Sequence, residues 1–385
     1  MRPDDLVSEA CTETGLGDFG RDDFREGLAV YCESVAVEAK LNDLGVMAVR
    51  HNIVTSLANR LQVVDWATCH PDVLDQHIDA PLIVIGMFRA GTTFLSNLLD
   101  QDPANRSLLR WESRDCVPPP TPATFRSGAR VDEARASIEM FEQLNPEMAV
   151  IHHEDADGPT ECVTVLSQDF KSLLWDSITN VPTYGRWLRD VDQRSAYEHH
   201  RLVLRVLQHG GVRGRWTLKS PHHALALEAL TAVYPDARLV LLHRDPVVLC
   251  ASGCSLIRSL SGTFSDADHQ RYIADHWPAI LETSIDRIDA FRTAHPETAV
   301  VDVHYDELVR HPVETVAGIY RAFGDDLTDQ ARDAVESYVT ANRRRQPGAH
   351  RYHLTDFGLD PHEVAERFAA YVDRYAVPPE RASTA

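Results

Sequence analysis

The chain reads as an α/β protein with a central parallel sheet, and three observations predict it. Four short runs are almost continuously apolar: P-L-I-V-I-G at 81–86, R-W-T-L-K at 215–219, A-R-L-V-L-L-H at 237–243 and T-A-V-V-D-V-H at 298–304. Runs of that length and composition are how strands buried on both faces look in sequence. Each is followed by text with helical apolar spacing, so the repeating unit is strand then helix.

Taken in order, residues 1–80 form a helical N-terminal extension, with stretches such as A-V-Y-C-E-S-V-A-V-E and no strand pattern. The α/β domain then runs over 81–385. It is interrupted at about 118–214 by an insertion that opens with V-P-P-P-T-P, an extended loop by the restriction each proline places on its predecessor, and continues as helical text. No repeat or low-complexity tract breaks the chain, and one embellished α/β domain is expected.

Charge and cysteines narrow the function classes. The 385 residues carry a formal net charge of −20, which opposes a broad nucleic-acid footprint or insertion into an anionic membrane. Seven cysteines without a C-x-x-C pair fit reduced thiols better than a disulfide frame. The acidic first residues lack an apolar signal core, and no apolar run approaches a span of ~20 residues. A cytoplasmic protein is expected, of unknown oligomeric state. Arginine dominates the cations, lysine occurring only at Lys40, Lys171 and Lys219, so a lysine at a strand end stands out.

The first strand leads into Gly86-Met87-Phe88-Arg89-Ala90-Gly91-Thr92-Thr93, and Leu95, Leu98 and Leu99 continue with helical spacing. A loop from buried strand to helix N-terminus presents free backbone N–H groups and the positive end of the helix dipole, an anion site. The spacing is G-x-x-x-x-G, so a P-loop-NTPase-like three-layer fold is expected. Thr92, however, stands where a nucleoside-triphosphate loop needs lysine. Arg89 offers a planar fork for an oxyanion instead. A small-molecule kinase with a degenerate loop is the alternative enzyme, and an inactive nucleotide- or lipid-binding protein the alternative from another class.

F-R-A-G-T-T after a strand resembles the 5′-phosphosulfate loop of the sulfotransferases that use 3′-phosphoadenosine-5′-phosphosulfate (PAPS), with Phe88 and Ala90 departing from the usual Pro and Ser. The likeness is to the bacterial branch and to the tyrosylprotein and cytosolic enzymes, and spans roughly residues 80 to 375. It implies transfer of a sulfuryl group from PAPS to a hydroxyl of a small-molecule or lipid acceptor, releasing 3′-phosphoadenosine 5′-phosphate (PAP), with no metal. It implies that Arg89, Ala90, Gly91, Thr92 and Thr93 bind the 5′ end, and that Arg244 after the third strand holds the 3′-phosphate with Ser252, eight residues on. Asp245 as N-cap and Pro246 at the first helical position would aim Arg244 from the carboxyl edge of the sheet. K-S-P-H-H at 219–223 resembles a segment in which the strand-end lysine, Lys219, faces the transferring group. For the base the resemblance implies Glu112, in L-R-W-E-S-R at 109–114, with His223 as second choice. Arg351, in a basic C-terminal segment, would reach the nucleotide. His152-His153-Glu154-Asp155 is a weak metal pattern, because adjacent ligands do not easily share one ion.

Overall fold

The computed structural model describes residues 1–344 and 353–380. Five strands make one all-parallel sheet: β1 (Leu82–Gly86), β2 (Asn105–Ser107), β3 (Arg215–Lys219), β4 (Arg238–His243) and β5 (Val300–His304), in the order β2-β3-β1-β4-β5. The four apolar runs are β1, β3, β4 and β5. Every residue of β1 is buried, and so are five of the six in β4; both faces are therefore covered, which is the three-layer arrangement the runs predict. The first strand lies between the third and fourth, so its loop and theirs share one edge.

Register decides what meets at that edge. Val84 is opposite Lys219, and Gly86 is opposite Leu242. The ends of β3 and β4 therefore flank the loop that follows Gly86. An open parallel sheet has its crevice there, outside the carboxyl ends of the strands.

The strand β2 carries no apolar signal, being Asn105-Arg106-Ser107 at the sheet edge. Its register is held by side chains. Ser107 and Thr217 hydroxyls meet at 2.7 Å, and the buried Arg106 guanidinium lies 3.8 Å from the centre of the Trp216 ring.

The insertion is helical as expected, with helices at Ala129–Leu144, Pro146–Ile151, Leu173–Ile178, Pro182–Asp190 and Arg194–His209 among others. The N-terminal helices Pro3–Thr14, Phe24–Val37 and Asp43–Cys69 do not stand apart. Their buried residues Phe24, Tyr31 and Leu57 share a cluster with Phe170, Trp175 and Tyr184 of the insertion and Ile257 and Trp277 of the α/β domain. Arg60 is buried in the same place, bonded to Asp169 Oδ1 at 2.9 Å and to the carbonyls of Phe19 and Arg21. The boundary near residue 80 is a boundary in sequence pattern, not in packing.

Candidate active site

The phosphate loop is built from its backbone outward. Gly91 has φ +94°, in the left-handed region, and a Cβ there would meet Tyr305 Cδ2 at 2.8 Å; only glycine fits both constraints. Arg89 also lies in that region, at φ 67°. The helix Thr92–Leu99 begins directly after Gly91, so its first N–H groups face the loop without partners inside the helix.

The expected phosphate residues converge through Arg89. Its Nε donates to Ser252 Oγ at 3.1 Å and its Nη1 to the Ile151 carbonyl at 2.6 Å, while its own carbonyl accepts from Arg244 Nη1 at 2.5 Å. Two helical turns separate Arg244 from Ser252 along the chain, and the loop arginine bridges them. Asp245 caps the helix Pro246–Gly262, its Oδ1 accepting from Val247 N at 2.9 Å, as the sequence predicts. The Arg244 guanidinium lies 3.8 Å from the centre of the Tyr305 ring. It also receives a carboxylate: Nε and Nη2 donate to the two oxygens of Glu380 at 2.6 and 3.0 Å. That fork geometry is what an oxyanion would adopt on Arg244, so the site fits the group expected for it.

The lysine at the end of β3 faces the same mouth. Lys219 Nζ donates to Thr93 Oγ1 at 3.0 Å and to Glu161 Oε1 at 3.1 Å. The segment bearing Glu161 is tied down on both sides. Cys162 N donates to the Lys219 carbonyl at 2.9 Å, and Thr160 N to the Leu108 carbonyl at 2.8 Å. Glu154 lies in the same segment, paired with Arg110 Nε at 3.0 Å and accepting from Thr160 Oγ1 at 2.8 Å. Burial alone would raise its pKa, but the charges of Arg110, His152 and Lys219 hold it down at about 2. His152 Nε2 stands 3.9 Å from Glu154 Oε1. Burial pulls its imidazole below the ordinary value, against the raising effect of Glu154 and Glu161. Among the described residues no group of His, Cys, Asp and Glu is arranged to hold a metal ion.

Glu112 and His223 stand differently from what the resemblance implies. Glu112 is fully buried. Its two oxygens take both terminal nitrogens of Arg106, at 2.6 and 2.8 Å, and Oε1 also accepts from Leu109 N at 2.8 Å. A carboxylate so enclosed has no open side for an acceptor proton; it fixes β2 and the turn after it. His223 is buried, its Nδ1 2.8 Å from the Tyr197 hydroxyl, and burial holds it neutral, with a pKa well below the ordinary value. Its neighbour His222 is bound to Leu173 N and Gln193 and is lowered to about 3. Both rings face the packed interior. Arg351 lies outside the described residues.

Glu161 was not singled out from the sequence. It lies 58 residues before Lys219 in an irregular stretch, and the bond joining Cys162 to the end of β3 leaves no local signature.

A parallel α/β sheet with an anion loop at its carboxyl edge, and arginine and lysine converging on it, defines a phosphate- or sulfate-handling transferase. The chain belongs to the sulfotransferase family, whose model matches residues 81–330. Sulfotransferase STF9 from Mycobacterium avium is 33% identical, with 98% of each chain covered and a TM-score of 0.90. Sulfotransferase STF1 from Mycobacterium tuberculosis H37Rv is 32% identical over 96% of this chain and 99% of its own, with a TM-score of 0.86. The omega-hydroxy-beta-dihydromenaquinone-9 sulfotransferase Stf3 of Mycobacterium bovis is 24% identical over 315 residues, 77% of this chain and 75% of Stf3. Likeness over nearly the full chain includes the N-terminal helices, in keeping with their shared core.

Proposed function

We propose that this sulfotransferase takes its sulfuryl group from PAPS and delivers it to a hydroxyl of an amphiphilic or lipid acceptor. The observation that carries the donor assignment is the union of two anion sites through Arg89. On this reading the backbone of residues 89–93 would take one phosphate and Arg244 with Ser252 the other, and Arg89 is bonded to both Ser252 and Arg244. Two separated anions are what distinguish a 3′,5′-bisphosphorylated nucleoside from AMP. The acceptor class is suggested by the printed activity of Stf3, which acts on a hydroxylated menaquinone.

The residues divide the chemistry. Lys219 and Arg89 are fixed cations, and they stabilise negative charge developing on the leaving oxygen. Thr93 holds the Lys219 ammonium at the helix N-terminus. Glu161, about one-fifth exposed at the mouth and bonded to Lys219, takes the acceptor proton. It replaces both Glu112 and His223 in that role, because it alone of the three is open to the mouth. The Glu161 carboxylate and the Lys219 ammonium lie 3.1 Å apart, so both can reach one acceptor hydroxyl.

Calorimetry tests the donor assignment. PAP is expected to bind at least tenfold tighter than AMP, and Arg244→Ala to erase most of that preference, since a lost charged hydrogen bond costs ~1.5–3 kcal/mol. Equal affinity for the two nucleotides would refute it. Incubation with PAPS and a metabolite extract, followed by mass spectrometry for sulfated products, then tests transfer itself.

A further inference from the structure

The run His152-His153-Glu154-Asp155 looks like metal ligands in sequence, but the fold sends its members apart. His153 is exposed and its Nδ1 lies 2.7 Å from Glu142 Oε1. Glu154 turns inward to Arg110 and Thr160. His152 stands at the mouth of the transfer site. The carbonyl of Ile151, just before it, accepts from Arg89 Nη1 at 2.6 Å, so the end of the helix Pro146–Ile151 is pinned to the anion loop. The charges of Arg89, Lys219, Glu154 and Glu161 all bear on the His152 imidazole, and such effects fade with distance. The ring therefore lies among the charged groups of the mouth. Those groups are committed: Lys219 to Thr93 and Glu161, Glu154 to Arg110 and Thr160. His152 differs. Glu154 Oε1, 3.9 Å from its Nε2, is beyond hydrogen-bond reach. Among the described residues the ring makes no hydrogen bond, and 24% of the side chain is exposed. Burial pulls the imidazole below its ordinary value, so at neutral pH it is an uncharged ring with one N–H to give.

We infer that His152 donates a ring N–H to a sulfuryl oxygen of the donor, beside Arg89 and Lys219. This rests on the PAPS reading above and gives the segment 152–155 a task in place of metal binding: it tells PAPS from PAP. A neutral donor suits the place. Arg89 and Lys219 already oppose the charge on the sulfuryl group, and a third cation would be repelled by both. A neutral N–H instead adds a directed bond to an oxygen of the group in transfer, without that cost.

Calorimetry with PAPS and with PAP tests this without any acceptor, because the two nucleotides differ only by the sulfuryl group. His152→Ala is expected to weaken PAPS about tenfold, as loss of a hydrogen bond to a charged group does, and to leave PAP within about twofold. His152→Gln, whose side-chain amide keeps an N–H, should retain most of the PAPS affinity. Unchanged PAPS affinity in His152→Ala overturns the inference. So does an equal loss for both nucleotides, which would make the ring a support of the anion loop. A loss confined to PAPS that His152→Gln fails to restore overturns it as well, since shape and not the N–H would then matter. A parent protein that binds neither nucleotide would instead remove the donor reading beneath it.

Discussion

At the scale of single residues, three carboxylates have different partners, and burial separates them. Glu112 is enclosed and bidentate to Arg106, Glu154 is held ionised between Arg110 and Thr160, and Glu161 meets Lys219 at the mouth. Glu161→Gln is therefore expected to lower kcat by ~10²-fold or more, with PAP affinity within a few-fold by calorimetry. Glu112→Ala should act on stability instead. Removing one partner of a buried pair strands Arg106 and costs ~3–5 kcal/mol, measured as a shift in the denaturant midpoint. If Glu112→Gln stopped turnover in a protein of unchanged stability while Glu161→Gln remained active, the assignment would return to Glu112. The sequence singled out Glu112 and not Glu161 because a base and an ion-pair partner look alike in one dimension; only their partners differ.

At the scale of elements, the C-terminal segment covers the sheet edge at which the nucleotide is proposed to bind. Glu380 N donates to Asp245 Oδ2 at 2.8 Å while its carboxylate occupies the Arg244 fork. A 3′-phosphate must displace that carboxylate to reach Arg244. Glu380→Ala is accordingly expected to tighten PAP binding several-fold and leave AMP binding nearly unchanged, both read by calorimetry; a weaker PAP affinity would mean that the segment closes over the nucleotide instead. The loop after β1 makes the second case. Gly91→Ala forces a Cβ against Tyr305 in a left-handed conformation, and PAP affinity should fall at least tenfold with the sheet intact by circular dichroism. Both the loop and the Asp245 cap were legible in sequence, because turn and cap chemistry is local. The segment 152–162 was not, because tertiary bonds to β3 and to Leu108 give it its shape.

The whole molecule has one consequence for pH and one for truncation. His200 and His222, fully buried, are each depressed from about 6.5 to about 3, chiefly by burial, and His223 lies well below its ordinary value. An unfolded chain takes up these protons below pH ~6.5, whereas the folded chain refuses those of His200 and His222 until near pH 3 and that of His223 until well below its ordinary value. Folding stability is thus full above pH ~6.5 and declines as the pH falls from there towards 3, by at most ~1.4 kcal/mol per pH unit for each ring. Glu154, at about 2, adds its own loss only below the ordinary carboxylate range. Urea midpoints should therefore already fall between pH 6.5 and 5, before any carboxylate titrates; a flat profile there would place these rings in water. Truncation follows from the shared cluster around Tyr31, Trp175 and Tyr184. A chain lacking residues 1–69 should lose its cooperative thermal transition, since the insertion would then expose aromatic core.

The sequence by itself determined the sheet, the helical insertion, the anion loop and the strand ends that carry Lys219 and Arg244. Each of these depends on period, capping or turn chemistry within a few residues, and such preferences survive without the rest of the molecule. It also showed two sharp motifs more than a hundred residues apart without showing how they touch. Tertiary structure decided that contact, through register: Val84 opposite Lys219 and Gly86 opposite Leu242 bring three strand ends to one loop, where Arg89 joins Arg244 to Ser252. It decided as well which carboxylate faces the mouth, the embedding of the N-terminal helices in a common core, and the edge strand β2. That strand has no apolar pattern and exists because Ser107, Arg106 and Glu112 find buried partners. Burial and long-range hydrogen bonding assign those roles, and neither is a property of a residue's neighbours in the chain.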